Sequence, residues 1–575
     1  MIAPILSIVT GTFNRLPSLR RMIASVRDQL PRGLAYEIVV VDGGSADGTQ
    51  DWCKAQPDIR LIEHGELRGA IRAFCDGARA ASGEYVVLAN DDIVFKPFGL
   101  LAAIAHLERT PDCGAVAFAD NRTSLVTGDG SEYRVEGVGA TTADGRPVMV
   151  VYAQVGMFRK WLGDQLGWWG DQDPIMGQAR TYGGDNYLSA RIWEAGYTVD
   201  PVPQAVIEDF IARDGLRDAN ANRGATDSAL YYQRFPTVHL PAQLTPAPPI
   251  DRLRMLCLPI YEPAFPGRFN REAGLTEALT DYGLAIEWDY INEPVDLVQL
   301  VAAWKPDLLI TQIQGPSRQL TPYTLASMRN AAPGMLVVNW NGDVHERGLL
   351  GSDVLEMLRY VDLQTTVNAK VLPEYAARGI RAAYWQIGYK DPAGALPQMP
   401  AYEVLFMGNC YNRERQLLLN ALRSARIDDR PVLVGVYGNC PGADGNTHYD
   451  FAAQRSLLQQ ATIVVGDTYP GGYAFVSNRV FQSLAAGAFL LQQHSDGLKE
   501  YTGLTPGVHF AEWRDTAHLK REIARWLRPE NAARREAIAS QGREYVRANF
   551  SYSAQARKLF NDLLPQIAEV ERAAV

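Results

Sequence analysis

From its start the chain alternates short, continuously apolar runs with longer stretches of helical spacing. Ile5–Thr10 is such a run, and Leu16–Leu30 follows it with apolar residues at 16, 19, 22, 23, 26 and 30. Unbroken apolarity over so few residues reads as a strand buried on both faces, and the second spacing as an amphipathic helix. Glu37–Val41 is a second buried strand ending at Asp42, Gly69–Ala81 a helix, and Tyr85–Ala89 a strand ending at Asn90-Asp91-Asp92. Strand–helix–strand order of this kind predicts an α/β fold with a mostly parallel sheet and helices on both faces.

The pattern is interrupted at Leu240–Asp251, LPAQLTPAPPID, where prolines 241, 246, 248 and 249 rule out a helix or a central strand. The segment reads as a semi-rigid linker. Strand candidates resume at Arg254–Pro259, Leu308–Thr311 and Leu336–Asn339. After Pro397–Pro400 a further set follows at Val404–Met407, Val432–Tyr437, Ile463–Val465 and Phe489–Gln492. A chain of 575 residues is too long for one core, and roughly two to four domains are expected. The division predicted is 1–240, a linker at 241–251, then two Rossmann-like sub-domains at 252–395 and 396–575.

Composition narrows the function classes. Hydrophobic residues make up 47% and charged residues 21%, ordinary for a soluble globular protein. A formal charge of −9 argues against nucleic acid as the main partner. The six cysteines, at 53, 75, 113, 257, 410 and 440, form no CxxC pair. A zinc ribbon is therefore not expected, and free thiols in a reducing compartment are. The opening MIAPILSIVTGTFNR is too short an apolar run for a signal peptide or a membrane span, and no later stretch predicts a transmembrane helix. The expected location is cytoplasmic, with attachment to a membrane surface through a partner left open. No GxGxxG follows the strand candidates, which argues against a dinucleotide-dependent oxidoreductase.

In an open α/β sheet, ligands bind beyond the carboxyl ends of the strands. Three such ends carry Gly11-Thr12-Phe13-Asn14-Arg15, the run Asp42 to Thr49 (DGGSADGT), and Asn90-Asp91-Asp92. The first offers backbone amides and a hydroxyl. Asp42 suits the imino N–H of a base, and the glycines after it allow close approach of a ligand. Asp91 and Asp92 are hard oxygen donors for a divalent cation, which would offset a leaving diphosphate. Asp185 precedes a helical pattern, where a carboxylate is easily kept ionised, and a general base there could take a proton from an acceptor hydroxyl. Trp168 and Trp169 offer stacking faces for a sugar. Taken singly, Asp42 equally suits a turn, Asp185 a helix N-cap, and the tryptophans a core. Glu208 and Asp209 read either as metal or acceptor contacts or as solvated loop acids.

The series SIVTGTFNR, VVVDGGSADGT and GEYVVLANDD resembles family 2 glycosyltransferases of the GT-A fold in order and spacing. The resemblance implies that Gly11, Thr12, Phe13 and Asp42 hold the nucleoside and that Arg68 or Arg72 lies near the base or diphosphate. Asn90-Asp91-Asp92 stands where the family carries its DxD motif, with Asn90 in place of the first acid. Asp92, with Asp91, is then the metal ligand, for Mn or Mg. The stretch from Gly167 to Tyr197 implies Asp185 as catalytic base and inversion at the anomeric carbon.

The region 404–560 resembles GT-B glycosyltransferases, closest to the CgeB-like branch, through EVLFMGNCYNRERQLLLNAL, VSNRVFQSLAAGAFLLQQ and GREYVRANFSYSAQARKLF. Gly408 allows close backbone contact with a phosphate, and Arg413 or Arg415 pairs with a diphosphate. Ser477 and Asn478 precede a helical pattern whose amides, with Arg479, bind anionic oxygens without a metal. Gln482 and Ala474 stand where related enzymes often carry glutamates. Asp343 and His345, in VVNWNGDVHE, are the candidates for acceptor activation. The reading is a bifunctional glycosyltransferase using nucleotide-diphosphate sugars on a glycan, protein or lipid-linked acceptor. The alternative is a single GT-A activity with an inactive, acceptor- or partner-binding C-terminal half.

Overall fold

The computed structural model describes residues 4–121, 134–142, 145, 147–210, 223–241, 252–259, 274–291, 293–313, 319–342, 352–386, 388–392, 394–410, 412–447, 450–468, 474–475 and 477–567. They divide into two compact units, Met1–Arg254 with Asp296–Pro306, and Met255–Val295 with Asp307–Val575. Apart from Leu240 and Pro241, the proline-rich segment lies outside the described residues, as do Asp343 and His345.

In the first unit the order is β1 (Leu6–Thr12), α1 (Leu16–Arg27), β2 (Tyr36–Asp42), α2 (Thr49–Lys54), β3 (Ile59–Glu63), α3 (Ala70–Ala80), β4 (Tyr85–Leu88) and β5 (Ile93–Phe95). Then follow α4 (Gly99–Arg109), β6 (Cys113–Ala119), β7 (Glu136–Thr141), β8 (Pro147–Tyr152), β9 (Gly156–Arg159), α5 (Lys160–Leu166), α6 (Gly184–Glu194), β10 (Thr198–Asp209) and α7 (Arg223–Arg234). Eight strands form one sheet in the order β3-β2-β1-β4-β9-β6-β10-β5. β1 is buried at every position but Gly11, as an unbroken apolar run requires. It pairs in parallel with β2 and β4, and β2 with β3. β9 enters antiparallel between β4 and β6, and β5 is antiparallel to β10. The parallel half therefore brings the carboxyl ends of β1, β2 and β4 to one edge. On one face, α3 buries Ile71, Phe74, Cys75 and Ala78 in a core shared with Val9, Val39, Val86 and Leu88.

The next elements are β11 (Leu253–Leu258), α8 (Leu275–Leu279), β12 (Gly283–Glu287) and α9 (Leu297–Trp304). α9 belongs to the first unit and packs against α4. Its cap Asp296 accepts the N–H groups of Val298 and Gln299, both at 3.0 Å. The Lys305 carbonyl after it accepts from Arg109 at 2.8 Å and Arg254 at 3.1 Å.

The second unit continues with β13 (Leu308–Thr311), α10 (Pro322–Ala331), β14 (Leu336–Asn341), α11 (Ser352–Met357), β15 (Leu363–Thr366), α12 (Leu372–Ala377) and β16 (Ala382–Tyr384). These strands make a six-stranded sheet, β12-β11-β13-β14-β15-β16. Beyond it lie β17 (Val404–Met407), α13 (Arg413–Arg423), a hairpin of β18 (Arg426–Ile427) and β19 (Arg430–Pro431), β20 (Val434–Tyr437), α14 (Phe451–Gln460) and β21 (Ile463–Gly466). Then come α15 (Asn478–Ala486), β22 (Leu490–Gln493), α16 (Leu498–Thr502), β23 (Ala511–Trp513), α17 (Thr516–Leu527), α18 (Ala532–Phe550) and α19 (Tyr552–Lys558). A five-stranded sheet, β20-β17-β21-β22-β23, is parallel throughout. α19 and the residues to Ile567 share a core with Met255, Cys257, Ile310 and Val338 of the six-stranded sheet.

One expectation is corrected. Cys410 and Cys440 are not free thiols: their Cα atoms stand 4.9 Å apart and the sulfurs are bridged. They follow the adjacent parallel strands β17 and β20, so neighbouring strand ends meet although 30 residues separate them in sequence. Cys53, Cys75, Cys113 and Cys257 are free and buried. Among the described residues no helix is long and apolar enough to cross a membrane.

Candidate functional site

The carboxyl ends of β1, β2 and β4 open on a cavity of about 360 Å³. Gly11, Thr12, Phe13, Asn90, Asp91 and Asp92 line it from the strand ends, and Arg68, Trp169 and Asp185 line it from other segments. Residues more than 170 positions apart in sequence thus share one site.

Asp91 and Asp92 are both buried. Asp91 accepts the Thr12 hydroxyl at 2.7 Å and Arg15 Nη1 at 3.2 Å. The same Arg15 nitrogen stands 3.8 Å from Asp92. Burial pushes the Asp91 carboxyl up to about 6, against the lowering effect of Arg15 and Thr12, with the Asp92 charge adding to the rise. Asp42 is fully buried at the tip of β2. Its Oδ2 accepts the N–H groups of Gly44 at 3.0 Å and Ser45 at 2.9 Å, and the Gln50 amide at 2.7 Å. Gly44 makes this turn with φ +92, where a Cβ would meet the Gly65 carbonyl oxygen at 2.9 Å. Asp42 therefore closes its own turn, while its Oδ1 is buried with no hydrogen-bond partner among the described residues.

Asp185 lies in the first turn of α6, and the cap position is Gly183 with φ 84. It is therefore not the N-cap. Burial, the dominant effect, raises its carboxyl to about 7, with Glu136 adding to the rise and the Asn186 N–H opposing it. The expectation that the helix start keeps this acid readily ionised is corrected: desolvation outweighs the dipole.

The wall between Trp169 and Asp185 is held by a carboxylate that the motifs did not single out. Asp227 of α7, 3% exposed, accepts the backbone N–H groups of Arg180 at 3.3 Å, Thr181 at 2.9 Å and Tyr182 at 3.1 Å. The Arg180 carbonyl in turn accepts from Ile71 at the start of α3, at 3.1 Å. Gly69 permits this approach, since a Cβ there would meet that oxygen at 2.5 Å.

Three predicted residues do not line the cavity: Asp42, which is fully buried within its own turn, Trp168 and Arg72. Trp168 is 1% exposed, with its Nε1–H donated to Asp164 at 2.8 Å, and it sits in the core. Arg72 is spent on Asp76 at 2.8 Å and Asp171 at 3.2 Å. Conversely, Arg15, Asp120, Arg180, Tyr182, Asp209 and Arg223 line the cavity. Of these, Arg15 was visible beside the first motif and Asp209 in VIEDF; the others carried no sequence signal. Glu208 points to an ion pair with Lys96.

In the second unit the residues proposed for phosphate binding gather at the ends of β17 and β21. Arg479 donates to the Met407 carbonyl and to Ser477 Oγ, the latter at 3.2 Å, and its guanidinium abuts Gly408. Arg415 pairs with Asp467 at 2.5 Å and donates to the Asn409 carbonyl at 2.7 Å. Ser477 caps α15, accepting Arg479 N–H at 3.2 Å. Asn478 Oδ1 is buried with no hydrogen-bond partner among the described residues. Arg413 is exposed at the start of α13, and Gln482 is half-buried on α15. The cavity among Met407, Asp467, Ser477 and Arg479 is about 20 Å³. Ala474 is buried, and its carbonyl accepts the Tyr384 hydroxyl at 3.0 Å.

Among the described residues one group has metal-ligand spacing, His106, Cys113 and Asp200. It lies away from the cavity, and His106 Nε2 is 2.7 Å from Asp200.

Residues 7–194 match the family model "Glycosyl transferase family 2", and residues 413–561 match "Glycosyl transferase-like". Both matched regions are thus of glycosyltransferase type. The chain is 33% identical over 134 residues to the succinoglycan biosynthesis protein ExoO of Rhizobium meliloti (strain 1021), covering 23% of this chain and 37% of that one. It is 29% identical over 171 residues to the uncharacterized glycosyltransferase YwdF of Bacillus subtilis (strain 168), covering 28% and 61%. The match thus spans less than two thirds of either relative. Among solved structures, the mannosyltransferase PcManGT from Pyrobaculum calidifontis, in complex with GDP-Man and Mn2+, aligns at 21% identity and TM-score 0.30, over 44% of this chain and 67% of that one.

Proposed function

We propose that the first unit transfers a sugar from a nucleotide diphosphate to an acceptor hydroxyl, with inversion. The observation that carries the reading is the meeting of Asp91 and Asp92 with Asp185 around one cavity at the strand ends. Gly11, Thr12 and Phe13 would hold the nucleoside, and Asp42 would shape the turn beside them through the Gly44 and Ser45 N–H groups. Arg68 would approach the diphosphate. Asp92, with Asp91, would hold a divalent cation, Mn or Mg: two carboxylates facing one cavity are a fitting hard-oxygen donor set, and their charge is now partly offset by Arg15. Such a cation supplies positive charge against the departing diphosphate. Asp185, ionised, accepts the proton of the acceptor hydroxyl as its oxygen bonds to the anomeric carbon. The bond from that carbon to the diphosphate oxygen breaks on the opposite face. Trp169 supplies an apolar wall for a sugar.

For the rest of the chain we infer the GT-B arrangement, with sub-domains at 252–395 and 396–575 after a linker at 241–251, and a second, metal-independent donor site near Arg479. The convergence of Gly408, Ser477 and Arg479 supports it. A specific observation favours the alternative of a non-catalytic binding half: Arg415 and Arg479 are engaged within the protein around a very small cavity.

The test incubates the full chain with UDP-, dTDP- and GDP-sugars, with and without EDTA, and follows nucleotide release. Separating the halves at the proline run would strip Asp296–Pro306 from the first unit, so variants are preferable. Asp92→Ala should remove the EDTA-sensitive turnover and Arg479→Glu any EDTA-resistant turnover. Full turnover in Asp92→Ala would reject the metal assignment. An Arg479→Glu chain with unchanged turnover would withdraw the second site.

A further inference from the structure

A second cavity, about 380 Å³ and as large as the one described above, lies wholly within the second unit. It shares no lining residue with the nucleotide sites proposed for either unit. Its aromatic surface comes from Tyr384, Tyr501, Tyr545 and Phe550. Tyr384 and Tyr501 have ring centroids 5.1 Å apart, and Tyr545 stacks on His509 at 4.4 Å. The hydroxyls of Tyr384 and Tyr545 are occupied inside the protein, by the Ala474 carbonyl at 3.0 Å and the Thr502 carbonyl at 2.8 Å. These two side chains are therefore fixed, and what they offer a ligand is ring surface.

Half of the polar residues around the rings are amides, Gln386, Asn549, Gln555 and Asn561, and the others are Thr502, Arg557, Lys558 and Asp562. Gln555 is 2% exposed. Its Nε2 donates to the Asn549 carbonyl at 2.7 Å, which orients the amide. Its Oε1 is buried with no hydrogen-bond partner among the described residues. A buried acceptor left without a donor is costly, and a ligand N–H or O–H relieves it. Charge at the rim is nearly balanced, because Lys558 is paired with Asp562 at 3.3 Å, leaving Arg557.

We propose that this cavity binds a neutral oligosaccharide, at a site separate from the one that carries out transfer. Ring surface matches the C–H face of a pyranose. Side-chain amides, each both donor and acceptor, match sugar hydroxyls. A nucleoside diphosphate would require an excess of cationic donors that the rim lacks. The volume falls within the usual span for small-ligand sites and accommodates one or two sugar rings. A growing glycan held here stays attached to the chain between encounters with the transfer site, which raises its local concentration.

The test is saturation-transfer NMR on the full chain, with neutral tetrasaccharides of glucose, galactose, mannose and rhamnose at millimolar concentration. At least one should receive saturation. Tyr501→Ala should weaken it about five- to tenfold, the loss expected for one ring contact, and Asn561→Ala several-fold. UDP and GDP binding should be unchanged in both. Asn561 is exposed, so Asn561→Ala decides alone should Tyr501→Ala not fold. The proposal is overturned by no transfer to any of the four sugars, or by transfer that the folded variants leave intact. It is also overturned by loss of UDP or GDP binding in either variant, which would make this a nucleotide site.

Discussion

Replacing Asp185 by Asn probes the proposed base most directly. With a carboxyl at about 7, about half is ionised at pH 7 and about a tenth at pH 6. If the ionised form takes the acceptor proton, turnover should fall about tenfold per pH unit below that value and level off above it. Asp185→Asn cannot accept the proton, and the expected loss is about 10²–10⁴-fold, equivalent to about 3–5 kcal/mol of barrier. Glu136 is one of the groups raising this carboxyl. Glu136→Gln should therefore move the acid limb to lower pH while leaving the plateau rate. The stability effect has the opposite sign. Asp185 binds its proton more tightly folded than unfolded, so its contribution favours folding below the unfolded pKa and is lost as pH rises through about 7. Asp185→Asn removes the desolvated charge and should be at least as stable as the parent at pH 8. The assay is initial-rate nucleotide release across pH, with thermal melting on the same samples. A variant that keeps the parental rate within a few-fold, or a limb that Glu136→Gln leaves in place, would refute the assignment.

Asp227→Asn loses the charge that holds three amides of the cavity wall; the expected cost is about 1–3 kcal/mol in denaturant melts. Turnover should fall with it, and unchanged turnover would show that this wall does not position the site. Cys410→Ser opens a 30-residue loop and should lower stability by about 3–4 kcal/mol, with melting of the parent shifting to the same position under reductant. Trp304→Ala empties a fully buried position in α9 at a cost of about 3–5 kcal/mol. Hydrogen exchange should then speed up in α4 of the first unit; acceleration confined to residues after 306 would contradict the membership of α9.

Which parts were legible in advance follows from the range of the forces involved. β1, β2, β4 and β17 are strands within one or two residues of their apolar runs. Burial on both faces leaves no polar position to blur the pattern. The strand tips were readable for the same reason: a parallel sheet carries its loops to one edge, so Gly11, Asn90 and Asp92 had to be neighbours. Trp168 and Trp169 are adjacent and chemically alike, yet one is clamped to Asp164 in the core while the other faces the cavity. No local spacing distinguishes them.

By itself, the sequence determined that the chain is α/β in layers, and which strand tips carry acids, glycines and hydroxyls. These follow from periodicity and from backbone geometry, which act over a few residues. Tertiary structure alone decided that Asp227 reaches back 47 residues to grip Arg180. It also decided that Cys410 meets Cys440, that α9 joins the first unit, and that Asp185 is desolvated enough to titrate near neutrality. Each of these depends on which distant segments exclude water from a given atom, and that is set only when the chain has packed.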